Sequence, residues 1–142
     1  MINVISWEAA LEELVGLLPG CNSFLPELII ETAKEAGFSA PLTRLNGWQK
    51  MADDAILQRL LPDDVGAEDS ILVVSEASYV KASPFTLQVG DLYEFTRWHL
   101  SQYNESVVNG DTVVVLPARR VIALFHHEGA CSTISVGRSE RA

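Results

Sequence analysis

The chain has 142 residues, of which 48% are hydrophobic and 20% are charged, and its formal net charge is -9. This size and composition predict one globular domain over residues 1–142, with residues 137–142 as a frayed tail, and they exclude a disordered chain. Because phosphate backbones and anionic membrane surfaces repel an acidic protein, we expect neither nucleic acid nor a membrane as a direct partner.

The excess negative charge lies in the first 80 residues. Residues 1–80 contain 13 Asp and Glu against four Lys and Arg, whereas residues 81–142 contain six of each kind. An uneven charge distribution affects what a surface attracts and rejects. The acidic half therefore predicts a basic protein partner.

Targeting and redox signals are those expected of a cytoplasmic protein. The first 20 residues, MINVISWEAALEELVGLLPG, lack a basic leader and place three glutamates in the apolar stretch, which is not typical of a signal peptide. No run approaches the ~18 uninterrupted apolar residues of a membrane span. Cys21 and Cys131 belong to no C-x-x-C or Cys/His pattern, so we expect free thiols.

Three helices are predicted in the acidic half. Apolar residues recur at helical spacing over residues 7–18, behind Ser6 as a good N-cap and before Pro19-Gly20. The outer face of this helix carries glutamates without a basic neighbour. A second helix fits residues 26–36, with proline in the first turn and glycine after the last. A third fits residues 48–61, which a proline follows.

The second half predicts a sheet. ILVVSE is a short β-branched run typical of a buried strand, and SPFTLQ is expected to be extended. Asp91 and Glu94 resemble a capping box at the start of a helix over residues 92–103. TVVVLP, RVIALFH and ACSTISV follow with short connections, which favour an antiparallel meander. The predicted fold is α+β, with N-terminal helices on one face of a mainly antiparallel sheet of about four strands.

A stripe of glutamates marks the second helix. Glu27, Glu31 and Glu35 recur every fourth residue, and like charges at this spacing destabilise a helix by about 0.2–0.5 kcal/mol. Helix propensity therefore does not explain the stripe. Two interpretations stay open, a solvated surface and a binding surface.

An acidic loop, PDDVGAEDS, precedes the first predicted strand. Its carboxylates do not follow the spacing of a cation-binding loop, so we predict neither a metal nor a cofactor there. A clustered anionic surface would instead speed association with a basic protein. The predicted partner-binding residues of the stripe and loop are Glu27, Glu31, Glu35, Asp63, Asp64, Glu68 and Asp69.

The turn His126-His127-Glu128 is an alternative site. Successive side chains of a strand point to opposite faces, so the two imidazoles are not expected to converge on one metal ion. The chain also lacks the H-E-x-x-H, G-x-S-x-G and phosphate-loop motifs. The turn could be a plain hairpin, a contact for a partner, or the centre of a small hydrolase or transferase.

Acidity, a helical front and the segment YNESVVNGDTVVVLPARRVIALFHHEG together resemble the small cytoplasmic immunity proteins of bacterial polymorphic and contact-dependent toxin systems. The resemblance implies a non-enzymatic protein that binds one cognate toxin domain, often a basic nuclease, and blocks its active site or an exosite. The acids of the second helix and the loop would then face Lys or Arg of the toxin. A regulatory or scaffold domain that binds through an apolar patch around Trp48 or Trp98 is a further alternative.

Overall fold

The computed structural model describes residues 2–126 and 128–137, and these form one antiparallel sheet with helices on both faces. The α-helices in this part of the chain are α1 (Trp7–Leu17), α2 (Pro26–Glu35), α3 (Asp53–Leu60), α4 (Glu76–Val80) and α5 (Leu92–Tyr103). Its strands are β1 (Asn3–Val4), β2 (Thr43–Arg44), β3 (Ser70–Val74), β4 (Phe85–Gln88), β5 (Thr112–Leu116), β6 (Val121–Phe125) and β7 (Ala130–Ser135).

The strand order is β1-β4-β3-β5-β6-β7-β2, and every neighbouring pair is antiparallel. The predicted α+β class is confirmed, and β5, β6 and β7 form the expected meander. The expected number of about four strands is too low, since the described residues form seven. The edge strands β1 and β2 have two residues each, which is too short for an alternating apolar pattern to reveal them.

Two hydrophobic cores lie on opposite faces of the sheet. Alternate residues of β5 divide between them: Val113 and Val115 pack with α1 and α2, whereas Val114 and Leu116 pack with α3 and α5. The prediction of helices on one face only is therefore wrong. Burial on both faces also explains why β5 and β6 read as continuous apolar runs rather than as alternating ones.

The helix starts differ in how closely they follow the sequence signals. The Ser6 hydroxyl accepts a hydrogen bond from the Ala9 amide at 3.0 Å, as expected of an N-cap. The predicted third helix is interrupted, because Met51 and Ala52 adopt extended backbone between a 3-10 turn and α3. The predicted capping box at Asp91 does not form, because the Asp91 side chain makes no capping hydrogen bond to α5 and the residue lies in a 3-10 turn that leads directly into that helix.

Candidate partner-binding surface

Helices α1 and α2 cover the same face of the sheet and carry six exposed glutamates. Both helices bury a small apolar stripe, which includes Leu14 of α1 and Ile29 of α2. Lys34 is the only basic residue of the two helices. No ion pair among the described residues involves these glutamates. We call this set the α1–α2 acidic surface, and it comprises Glu8, Glu12, Glu13, Glu27, Glu31 and Glu35.

The predicted acidic loop is partly neutralised by Arg119, in the turn between β5 and β6. The guanidinium donates to Asp64 Oδ2 through Nη1 and to Asp69 Oδ2 through Nη2, both at 3.0 Å. The same Asp69 oxygen accepts a hydrogen bond from the Gly66 amide at 2.7 Å. That bond first, and Arg119 second, lower the pKa of Asp69. Asp69 therefore shapes its own loop, while Asp63 and Glu68 remain exposed.

The two predicted acidic sets lie on different parts of the molecule. Pro26, at the start of α2, lines a cavity with Val74 and Val113, which pair at one end of β3 and β5. Arg119 follows the opposite end of β5, and the loop that it binds continues from α3 on the other face. The structure thus places α1 and α2, with their glutamates, on one face of the sheet, whereas the acidic loop lies beyond the other end of β5.

The His126 turn is a tight hairpin connection. The His126 amide donates to the Ala130 carbonyl, and the Gly129 amide donates to the His126 carbonyl, both at 2.8 Å. Arg44 donates to the Glu128 carbonyl at 2.7 Å. His127 lies outside the described residues, so the expectation that the two imidazoles do not converge stays a prediction, as does the alternative site at His126, His127 and Glu128.

Cys131, just beyond this turn, lacks the features of an activated nucleophile. Its side chain is buried, and burial raises the pKa of the thiol. A reactive cysteine instead has a lowered pKa and an electropositive, accessible environment. The expectation of free thiols holds for both Cys21 and Cys131.

A buried serine and histidine pair lies between α4 and α5. His99 is fully buried, with Nδ1 2.9 Å from the Glu105 carbonyl and Nε2 3.0 Å from Ser75 Oγ. Because a carbonyl only accepts, Nδ1 carries the proton and the Ser75 hydroxyl donates to Nε2. Ser75 and Ser78 are also fully buried, so a substrate has no access and the pair stabilises the fold.

A groove that the sequence analysis missed lies beside the α1–α2 acidic surface. It consists of two adjoining cavities of about 210 and 320 Å³, which share Phe24, Leu25 and Tyr79. We call it the Tyr79 groove. Sequence reasoning missed it because α4, which carries Tyr79, has only five residues and shows no helical period. The available signal was Ser75 followed three residues later by Ser78, whose hydroxyl accepts a hydrogen bond from the Ser75 amide at 3.1 Å.

Comparisons with known proteins found no matching protein family, no matching curated protein and no matching solved structure. Among residues 2–126 and 128–137, no cluster of three or more His, Cys, Asp or Glu is placed to bind a metal ion. None of the helices described has the length and apolar character needed to cross a membrane.

Proposed function

We propose that this chain is a non-enzymatic binding protein of the immunity type, which neutralises a basic bacterial toxin domain through the α1–α2 acidic surface. The observation that carries the proposal is that two helices on one face of the sheet expose six glutamates with Lys34 as their only basic residue, and that none of the six forms an ion pair within the described residues. A purely solubilising surface would not need one sign of charge concentrated on two helices.

Such a surface acts first on the rate of encounter. Clustered charge of one sign steers an oppositely charged protein and raises its association rate, and like charges reject wrong partners. The loop around Glu68 is the weaker candidate, because Arg119 offsets part of its charge. The α2 stripe is then a feature of binding, which accounts for like charges at a spacing that destabilises the helix.

Charge reversal tests which acidic set binds the partner. With the product of the adjacent gene as the probe, we expect E27K/E31K/E35K to lower the association rate constant by about tenfold or more at low ionic strength. Changing the same glutamates to glutamine should give an intermediate rate. Stopped-flow fluorescence measures the rates, and circular dichroism checks that each variant is folded.

The matched comparison is D63K/E68K/E94K, which makes an equal charge change at exposed positions outside the α1–α2 acidic surface. This variant should slow association much less. A larger loss from this variant than from the α2 reversals would move the binding surface to the loop side and refute the assignment to α1 and α2.

A further inference from the structure

The walls of the Tyr79 groove are aromatic and partly exposed. The Trp7 ring lies 4.8 Å from the Tyr79 ring and 6.1 Å from the Phe24 ring, centroid to centroid. Leu25 is 49% exposed and Tyr79 is 50% exposed, although both are large apolar side chains at a concave site. Apolar surface in a concave site loses water favourably when a partner side chain fills it.

One end of the groove is acidic. Glu76 and Asp111 line the cavity that also contains Tyr79. The Glu76 carboxylate lies against Gly110, where a Cβ atom would be 2.7 Å from Oε1, so glycine leaves room for the carboxylate in this position. Burial raises the pKa of the Tyr79 hydroxyl, and the charges of Glu76 and Asp111 raise it further. Tyr79 and the Glu76 carboxylate therefore line the same cavity.

The size of the groove limits what it can hold. Its two cavities have volumes of about 210 and 320 Å³, so that together they lie in the lower half of the roughly 300–1,000 Å³ usual for small-molecule sites. One or two amino-acid side chains fit this space. A cation beside an aromatic ring and a carboxylate gains from both contacts.

We infer that the Tyr79 groove receives an apolar side chain and a neighbouring Lys or Arg from an exposed segment of the protein partner. The apolar side chain would lie between Trp7, Leu25 and Tyr79, and the cation would meet the exposed Glu76 carboxylate. Charge complementarity selects this occupant over an acidic or purely apolar segment. The inference rests on the proposed function, and it adds a local anchor to a surface that otherwise acts through charge.

The location of the groove supports this role. Trp7 is the first residue of α1 and Pro26 is the first residue of α2, and both line the groove. The groove is thus continuous with the two helices that carry the α1–α2 acidic surface. A partner steered to those helices would meet an apolar recess at their N-terminal ends, and such recesses are typical places for binding hot spots.

Peptide titration followed by NMR tests the inference with defined probes. We expect acetyl-Arg-Leu-Arg-amide to shift the amide signals of residues 22–26 and 76–80 and the indole signal of Trp7. Acetyl-Glu-Leu-Glu-amide and acetyl-Arg-Gly-Arg-amide should each bind at least about tenfold more weakly, since the first reverses the charge and the second lacks the apolar side chain. Y79S and E76Q should weaken binding of the first peptide, whereas E94Q on α5 should not.

Shifts confined to other surfaces, or equal binding of all three peptides, would overturn the inference. The outcomes are separable from those of the proposed function. If the peptide binds at the groove but the adjacent gene product does not bind the chain, the proposed function fails and the groove assignment stands. If the adjacent gene product binds and the α2 reversals slow it while the peptide leaves the groove signals unchanged, only the groove assignment fails.

Discussion

Phe85→Ala is expected to lower the free energy of unfolding by about 3–5 kcal/mol, which is the usual cost of removing a buried phenyl ring. Phe85 on β4 is fully buried. Its ring centroid lies 5.3 Å from that of Phe95, 5.7 Å from that of His99 and 5.8 Å from that of Trp98. No single neighbour can fill the space, because the rings of α5 also pack on one another.

Urea unfolding monitored by tryptophan fluorescence measures this loss. Phe85→Leu is the matched control, since it keeps an apolar side chain and leaves a smaller cavity, and it is expected to cost less than Phe85→Ala. Equal losses from the two substitutions would contradict the account, because they would mean that the apolar atoms that leucine keeps at this buried position do not stabilise the fold. A free energy of unfolding of Phe85→Ala close to that of the wild type would contradict more directly the claim that the buried Phe85 side chain stabilises the fold.

His99 is expected to make the fold less stable in mild acid. Burial lowers the pKa of His99 below its ordinary value of 6.5, although the Glu105 carbonyl and the charge of Asp53 favour the protonated form. The unfolded chain therefore binds a proton at a higher pH than the folded chain. The contribution of neutral His99 to the free energy of unfolding is fully present above about pH 6.5. It is lost as the pH falls toward the lowered pKa, by at most about 1.4 kcal/mol per pH unit.

The free energy of unfolding, measured from pH 7.5 downward in the wild type and in His99→Gln, isolates this effect. The wild type should lose more stability than the variant over this range, since glutamine does not titrate. Asp53 has the opposite effect on stability, because burial raises the pKa of its carboxyl above the ordinary value of 3.8, so its protonation offsets part of the loss as the pH falls. Parallel pH profiles for the two proteins would show that His99 does not titrate differently on folding.

The elements that the sequence predicted well are those with a long, uninterrupted pattern. Helices α1, α2 and α5 and the meander β5–β7 each carry a periodic or continuous apolar run with clear punctuation. Helix α4 and strands β1 and β2 are too short to show a period, so they form only because the rest of the sheet is present. The interruption at Met51 and Ala52 carries no glycine or proline to announce it.

Layering was predictable only in part. The continuous apolar runs of β5 and β6 indicate strands buried on both faces, and that signal contradicts a sheet covered on one face alone. Which helix packs on which face depends on the path of the connections, which no local pattern specifies. The order of the strands is unpredictable for the same reason, because β3 pairs with β5 over a long sequence separation.

The acidic residues themselves were identified from the sequence, but their grouping was not. The loop carboxylates Asp64 and Asp69 pair with Arg119, which lies about 50 residues further along the chain. The Tyr79 groove likewise combines residues of α1, the connection before α2, α4 and the start of β5. Contacts at such separations depend on tertiary structure, and no local spacing in the sequence predicts them.

The most direct test of the binding account is the association rate constant of this chain with the adjacent gene product, measured by stopped-flow fluorescence as a function of ionic strength. If the α1–α2 acidic surface steers a basic partner, the rate should fall steeply as the screening length shortens from about 30 Å at 0.01 M salt to about 10 Å at 0.1 M salt. A rate that does not change over this range, or the absence of any complex, would contradict the account.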